Sequence, residues 1–410
     1  MKHQRILFAF VLLLTLALTV TTQAQGEVVV WFTGDDTGAA IVQEVANMWT
    51  AQSGTPVTVT AVGWGDAYAQ SLAAVAAGSG ADIIIGGMSW GISLGNLGGM
   101  VELSEPYADE IAQVAEQSNP GFYNAILTTD GKVFYVPFNL DTMLMYYNTA
   151  SFEAAGLEAP ATWDDIAAAS EAGLAGGWSW GNTSWLGFQG VLKQAGGDWY
   201  TADCSAAAID SDEGLAALEF YTALYEDYGF PAEQVPVADG LAAGTVDYVF
   251  SGEWEATGIN AAHPELEGQW SVAPLPAGPS GSFNAFIGGK GMGIFSYSQN
   301  VDAAFDLMMF LSTTEAQQAL VDLSLANANS IHVPPQTANY ELIGGGDDVR
   351  AALSTQLADA SGPSNCPGWE ESNADIDLIL QSVLFEGMDF EDALAEMKDV
   401  LNAGIEEFGS

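Results

Sequence analysis

Acidic or aromatic side chains follow each of three predicted β-strands near the start of the chain. The strands are predicted at 27–33, 57–62 and 81–85, where apolar and β-branched residues run into a Gly-containing break. The side chains that follow them are Asp35, Asp36, Trp64, Asp66 and Trp90. An indole ring can stack on the apolar C–H face of a sugar, and carboxylates accept hydrogen bonds from hydroxyl groups. The same two side-chain types can also surround a cation.

Helices between the strands determine where these side chains lie. The spacing of Ile41, Val45 and Trp49 predicts the first connecting helix, and 68–77 predicts the second. Strands that alternate with helices in this way form a mainly parallel sheet, so the predicted fold class is α/β. Ligands of such sheets bind beyond the carboxyl ends of the strands. The predicted binding site therefore includes these side chains.

A second α/β region follows a long β-rich stretch. This stretch, 133–147, contains Pro137 and is suited to leave one lobe and enter another. Helices are predicted beyond it at 163–172 and 212–225, and a strand at 246–250. The chain is therefore long enough, and patterned suitably, for two lobes.

The charge balance excludes some classes of partner. The 410 residues include 53 Asp and Glu but only 7 Lys and Arg, so the formal net charge is −46. A nucleic-acid-binding protein needs basic side chains to displace phosphate counterions, and so does a protein that binds anionic membrane surfaces. Both classes are excluded, and anionic small ligands are disfavoured. Neutral or cationic ligands remain.

The N-terminus is typical of a secretory signal peptide. Lys2 and Arg5 precede an apolar run from 6 to 20, and small residues occupy the −3 and −1 positions of a cleavage site after Ala24. We expect residues 1–24 to be removed and the rest to be exported as a soluble periplasmic or extracellular protein.

In that oxidising compartment Cys204 and Cys366 could form a disulfide, and two free buried thiols are the alternative.

Four groups of motifs, in a consistent order, carry a resemblance to a known family. The strongest is Val136–Asn148, which reads VPFNLDTMLMYYN and follows the pattern V-P-x-N-x-D-x-x-x-L-Y-Y-N, with Met145 at the Leu position. This first group continues through Phe152–Gly156 and Pro160–Asp165. The other three are Gly244–Trp254, Ala273–Pro276 with Ile287–Gly289 and Glu315–Gln318, and Glu386–Gly387 with Glu391–Leu394. Together these segments resemble extracellular solute-binding proteins of family 1, the carbohydrate-type, maltose-binding-protein-like receptors of ABC importers.

The resemblance implies a two-lobed periplasmic-binding-protein fold with a hinge of multiple crossings. The first lobe would comprise 27–136 with 286–332, and the second 137–285 with 333–410. Such a protein closes on its ligand like a hinge. It would bind a neutral sugar, act as a monomer and deliver the sugar to the transmembrane subunits of an ABC permease. Neither catalysis nor a cofactor is implied.

The resemblance also adds candidate ligand-binding residues. Trp254 matches the Trp of the family and follows Glu253, Asp141 matches the Asp of the crossing strand, and Asn139 lies two residues earlier on the same strand face. Gly288 and Gly289 match a glycine pair that lets backbone approach a ligand, although a tight turn would need them equally. The next position is often Trp in the family and is Lys290 here, which removes one expected stacking platform.

Two further aromatic candidates lie outside these motifs. Trp180 lies between Trp178 and Trp185 on a Gly-rich segment that could stack a second sugar unit or pack under a loop. Trp369, after a Pro-Gly pair, could close the cleft from the C-terminal segment.

Two alternative functions remain open from the sequence. A receptor for a cationic solute such as a polyamine would use the same acids and aromatic rings. A secreted carbohydrate-active enzyme would need two carboxylates at a fixed separation, and so many acids make such pairs frequent by chance. We predict no metal site, since two histidines outside the signal peptide, His263 and His332, show no ligand spacing.

The scarcity of bases predicts a pH dependence of stability. In acid the carboxylates lose their charge, and few cations remain to repel one another. We therefore expect maximal stability below neutrality, at about pH 3–5. An acidic habitat would explain this composition, and a saline habitat that screens the same repulsion is the alternative.

Overall fold

The structure, a computed structural model, describes residues 26–328 and 330–409. The predicted signal peptide, 1–24, lies outside the described residues. Within the described part of the chain, every helix is too short or too polar to cross a membrane.

Nine β-strands are present in the described residues. They are β1 (Val28–Thr33), β2 (Val57–Val62), β3 (Ile83–Gly87), β4 (Val136–Asn148), β5 (Gly176–Trp178), β6 (Tyr248–Gly252), β7 (Trp270–Ala273), β8 (Ala285–Ile294) and β9 (Ala360–Ser361). They neighbour one another in the order β2-β1-β3-β8-β4-β6-β5, with β7 beside β4 and β9 beside β8.

Sixteen α-helices, counted over the same residues, cover these strands. They are α1 (Asp36–Ser53), α2 (Trp64–Ala77), α3 (Trp90–Asn96), α4 (Ala108–Gln117), α5 (Pro120–Ile126), α6 (Thr149–Ala155), α7 (Trp163–Glu171), α8 (Trp185–Ala195), α9 (Asp212–Glu226), α10 (Val237–Ala243), α11 (Ile259–Ala262), α12 (Val301–Leu311), α13 (Thr314–Leu323), α14 (Asp347–Gln356), α15 (Trp369–Gln381) and α16 (Phe390–Phe408).

The first three strands are parallel, and α1 and α2 connect them. Asp35 is the N-cap of helix α1, and its carboxylate accepts a hydrogen bond from the Gly38 N–H at 2.8 Å. It buries Ile41, Val45 and Trp49 against the sheet because these residues share one helical face. Strand β8 then pairs antiparallel with β3, so the sheet is mixed.

Strands β4 and β8 pass between the two halves of the molecule. The first part of β4, up to Thr142, pairs antiparallel with β8, and from Met143 onward β4 pairs with β6 and β7. The pairing of β4 with β8 shifts register between Pro137 and Asn139. Because proline lacks an N–H group, this irregularity falls where the ladder would lose a donor.

The second half of the molecule packs helices against β5 and β6. Its core includes Trp178, Phe188, Tyr221 and Leu394, all nearly inaccessible to solvent. Cys204 and Cys366 form a disulfide with a Cα–Cα distance of 5.4 Å. This bond joins the loop after α8 to the segment that leads into α15.

Candidate ligand-binding site

A cavity of about 1080 Å³ lies between the two halves, and we call it the cleft. Its floor is formed by β4 and β8, and its walls by the ends of β1 and β3 on one side and by the residues after β6 with the start of α8 on the other. Ligand cavities of about 300–1000 Å³ accept drug-sized molecules. The cleft therefore has room for a ligand of that size or larger.

Three polar side chains lie together on the floor of the cleft. Asn139 and Asp141 come from one face of β4, and the Asn139 amide donates to the Asp141 carboxylate at 2.8 Å. Glu253 directly follows β6, and its Oε2 accepts a hydrogen bond from the Thr142 N–H at 2.8 Å. The Asn139 Oδ1 atom is buried and accepts no hydrogen bond from a described group. This cluster therefore keeps unused hydrogen-bonding capacity.

Burial disfavours the charged form of the Glu253 carboxyl. The side chain is 0% exposed, and desolvation, followed by the charge of Asp141, raises its pKa well above the usual value. A proton on Glu253 lets it donate a hydrogen bond to the Asp141 carboxylate. The floor of the cleft therefore disfavours a second negative charge beside Asp141.

One wall of the cleft is aromatic and lies beside this cluster. The Trp180 and Trp254 rings meet edge to face with centroids 5.0 Å apart, and Phe286 lies 5.7 Å from Trp180. The Trp254 ring covers Gly252 so closely that a Cβ at position 252 would lie 2.2 Å from it. Glycine is therefore needed there to place the Trp254 ring in the cleft.

The opposite wall carries a second aromatic group. The Trp64 and Trp90 rings are 5.7 Å apart and nearly perpendicular, and Tyr68 packs against Trp90 at 5.4 Å. Trp64 is 50% exposed, an unusual amount for so large an apolar side chain. Its ring is thus free to contact a ligand in the cleft.

Two nitrogen-bearing side chains complete the lining. The Lys290 ammonium lies 5.2 Å from the centre of the Trp64 ring and 5.5 Å from that of Phe32. His332 is buried, and desolvation together with the Lys290 charge lowers its pKa to about 3. The imidazole is therefore neutral at pH 7, and its Nε2 bonds to the Gln317 side chain at 2.9 Å.

A hydrogen bond joins the two halves beside the cleft. The Ser93 hydroxyl of α3 donates to the Glu371 carboxylate of α15 at 3.0 Å, and it also bonds to the Tyr68 hydroxyl at 2.7 Å.

A second cavity of about 700 Å³ adjoins this contact and shares Ser89 and Glu370 with the cleft. Burial raises the pKa of the Glu370 carboxyl.

Metal binding finds no support in the described parts of the chain, 26–328 and 330–409. They contain no group of three or more His, Cys, Asp or Glu side chains placed to hold a metal ion.

A sequence model of one protein family matches residues 33–318, about 70% of the chain, and its description is bacterial extracellular solute-binding protein. The chain belongs to this family. The resemblance seen in the sequence motifs is thereby confirmed.

Relatives and solved structures of such solute-binding proteins agree with this assignment. A maltooligosaccharide ABC transporter solute-binding lipoprotein of Streptococcus pneumoniae is 25% identical over 286 residues, covering 64% of this chain and 63% of that protein. The sugar-binding protein MalE of Xanthomonas citri matches with a TM-score of 0.80 at 22% identity, covering 93% of this chain and 98% of that chain. The cyclic alpha-maltosyl-1,6-maltose binding protein of Arthrobacter globiformis matches with a TM-score of 0.75 at 25% identity, covering 93% and 99%. The predicted two-lobed α/β fold is confirmed.

Most of the side chains predicted from the sequence lie around the cleft of this solute-binding protein. They are Asp35, Trp64, Trp90, Asn139, Asp141, Trp180, Glu253, Trp254, Gly288 and Gly289. They come from seven separate segments, which the sheet and the ends of its strands bring together.

Three predicted residues of the solute-binding protein do not line the cleft. Asp36 and Asp66 lie in the first turns of α1 and α2 and are exposed outside it. Trp369 is 2% exposed and packs under the wall, with ring centroids 5.1 Å from Trp185 and 5.2 Å from Trp199. The rings that bury Trp369 come from segments far away in the sequence, so the sequence pattern did not reveal its burial. That is why it was predicted to lie in the cleft.

The backbone conformation explains why the second residue of the glycine pair, at position 289, is glycine. Gly289 has φ +120°, and a Cβ there would lie 2.1 Å from the Asn139 carbonyl oxygen. The irregular pairing of β4 with β8 therefore requires glycine at 289 whether or not a ligand is bound.

Sequence reasoning missed several residues that line the cleft. Phe32, Phe286, His332 and Glu370 all do so, and Lys290 was noted only as the loss of a tryptophan. Phe286 and Lys290 flank the Ile287–Gly289 motif, and Glu370 follows Trp369. Adjacency in sequence to a predicted residue was therefore the signal that could have identified these three. His332 had no such signal.

Proposed function

We propose that this solute-binding protein binds a neutral sugar or oligosaccharide in the cleft and delivers it to the transmembrane subunits of an ABC permease. The observation that carries the proposal is the polar cluster of Asn139, Asp141 and Glu253 beside the Trp180–Trp254 pair. Sugar hydroxyls can bond to the cluster while the apolar face of the ring lies against an indole. The names of the pneumococcal and Arthrobacter proteins support the same ligand class.

We further propose the lobe boundaries predicted from the sequence, with 27–136 and 286–332 in one lobe and 137–285 and 333–410 in the other. The change of partners of β4 after Thr142, close to residue 137, supports them. The protein would work outside the cytoplasm as a monomer after loss of residues 1–24, and the family description supports the extracellular location.

The two alternative functions fit the cleft less well. A cationic ligand such as a polyamine would meet the Lys290 ammonium, which no described carboxylate neutralises. A retaining glycosidase needs its two carboxyl groups about 5–5.5 Å apart, and an inverting one needs more. The Asp141 and Glu253 carboxyls are close enough to share a hydrogen bond.

Tryptophan fluorescence of the chain without residues 1–24 tests this proposal. Titration with maltose, maltotriose, lactose and spermidine should give a saturable change with a sugar, and the sugar should be recovered intact. Trp254→Ala should weaken that binding by about tenfold or more, equivalent to about 1.4 kcal/mol. Trp270→Ala, outside the cleft, is the matched control and should bind as the wild type does. Saturation by spermidine alone, or conversion of the sugar, would refute the proposal.

A further inference from the structure

Lys290 differs from the other basic side chains of the described residues. Five Lys and Arg side chains occur there, and four of them form ion pairs with aspartates. These pairs are Lys132 with Asp130, Lys193 with Asp198, Arg350 with Asp347, and Lys398 with Asp210. Lys290 is the fifth, and no described carboxylate lies within 4.0 Å of its nitrogen. An unpaired base is unexpected in a chain with 53 acids.

The surroundings of Lys290 hold its charge in the cleft. Residue 290 lies on β8 opposite Asn139 of β4, so its backbone position is set by the floor of the cleft. The ammonium lies near the faces of Trp64 and Phe32, which attract a cation through their π electrons. This attraction satisfies none of its three N–H donors.

The other charged and titratable groups of the cleft do not bond to these donors. Asp35 caps α1 by accepting from Gly38, and Asp141 accepts from Asn139. Glu253 bonds to the Thr142 N–H, and the neutral His332 bonds to Gln317. Glu370, the remaining acid in the lining, is not paired with Lys290 either. Among the described residues, no group accepts a hydrogen bond from the Lys290 ammonium, so its donors can serve a ligand.

We propose that Lys290 determines ligand specificity by donating hydrogen bonds to an oxygen of the sugar bound at the Trp64 side of the cleft. This inference rests on the proposed function. A ligand that displaces water from the cleft removes the hydration of the ammonium, and an unpaired charge in such a place is unfavourable. A sugar oxygen in reach of Nζ replaces the lost water with a charge-assisted hydrogen bond. Ligands that lack an oxygen at that place are disfavoured.

Calorimetric titration of three variants tests the proposal. Calorimetry is chosen because the measured heat does not depend on the fluorescence of Trp64, which the loss of Lys290 can itself change. The probes are maltose, maltotriose and lactose. We expect Lys290→Met to weaken binding of the preferred sugar by about tenfold, as the loss of a charged hydrogen bond predicts. Lys290→Arg should recover most of the affinity. Lys398→Met, which removes a charge outside the cleft, should leave the affinity unchanged.

The outcomes separate this inference from the proposed function. Melting of Lys290→Met at the wild-type temperature, together with weaker binding, supports a contact with the ligand. Wild-type affinity in Lys290→Met would overturn the role of Lys290 and leave the proposed function intact. If the wild type binds none of the three sugars, the proposed function fails and the inference fails with it.

Discussion

The Glu253 carboxyl illustrates how burial sets the chemistry of a single residue. Its pKa is raised well above the ordinary value because the side chain is fully buried beside Asp141. As an acid it donates to Asp141 while its Oε2 accepts from the Thr142 N–H. Ionisation would place two negative charges side by side and is therefore unfavourable. The neutral form preserves the arrangement of the cluster.

Replacement of Glu253 by glutamine should preserve this arrangement, because an amide can both donate to Asp141 and accept from Thr142. We expect Glu253→Gln to bind its sugar as the wild type does at pH 6, and to keep binding as the pH rises. The wild type should lose affinity as the pH rises through the raised pKa of Glu253, since ionisation disrupts the cluster. Calorimetric titration at pH 5–9 measures both. Glu267→Gln, at an exposed position, is the control.

Glu253→Ala removes both bonds and should lower the free energy of unfolding by about 2–3 kcal/mol, measured by urea denaturation. Equal pH profiles of the wild type and Glu253→Gln would contradict the role given to the carboxylic acid.

At the scale of elements, the crossing strands couple the polar cluster to the relative position of the lobes. Asp141 lies on the part of β4 that pairs with β8, whereas Glu253 follows β6, which pairs with the later part of β4. The bond from the Thr142 N–H to Glu253 lies at the change of partners. A ligand that contacts the cluster therefore acts on the segment where the two lobes meet.

The disulfide is expected to contribute much of the stability of the second lobe. It joins two residues 162 apart in sequence, for which the chain-entropy model predicts about 5 kcal/mol of stabilisation. The double variant Cys204→Ser with Cys366→Ser should thus unfold at a lower urea concentration than the wild type. Reductant should destabilise the wild type and leave the double variant unchanged. Coinciding unfolding curves would mean that the bond does not stabilise the protein.

At the scale of the whole molecule, buried ionisable groups add to the effect of the net charge. Burial raises the pKa of Asp377 to about 6 and also raises those of Glu253, Glu255 and Glu370. A raised pKa in the folded state gives stability that is complete below the unfolded value, about 4, and is lost as the pH rises through the folded value. His332, with its pKa lowered to about 3, acts oppositely and loses its contribution as the pH falls from about 6.5.

The carboxyls of Glu102, Asp130, Asp203 and Glu265, whose pKa values hydrogen bonds lower, act in the same direction as His332. We expect the repulsion among 53 acids, together with the four raised carboxyls, to dominate, so stability should decline from mildly acidic to alkaline pH. We expect the melting temperature in low salt to be highest at about pH 3–5 and to fall toward pH 8. Added salt should raise it more at pH 8 than at pH 5, because screening matters most when the net charge is large. Differential scanning calorimetry across this range measures both effects. A melting temperature that rises steadily from pH 4 to pH 8 in low salt would contradict the prediction.

The sequence determined the features that depend on local pattern. Periodic apolar residues and glycine breaks predicted β1 to β3 with their helices, and the ends of those strands identified Asp35, Trp64 and Trp90. The motif with Asn139 and Asp141 placed both on one strand face, because alternate side chains of a strand share a face. Such inferences need only neighbouring residues.

The tertiary structure decided the features that depend on distant segments. Trp369 is buried because Trp185 and Trp199 pack against it. The pKa of Glu253 is raised because the fold buries it beside Asp141. Lys290 is unpaired because no described carboxylate of the cleft lies within 4.0 Å of its nitrogen. Burial and charge depend on what surrounds a side chain in space. In this chain those surroundings come from residues far apart in sequence, which the pairing of β4 with β6 and β8 brings together.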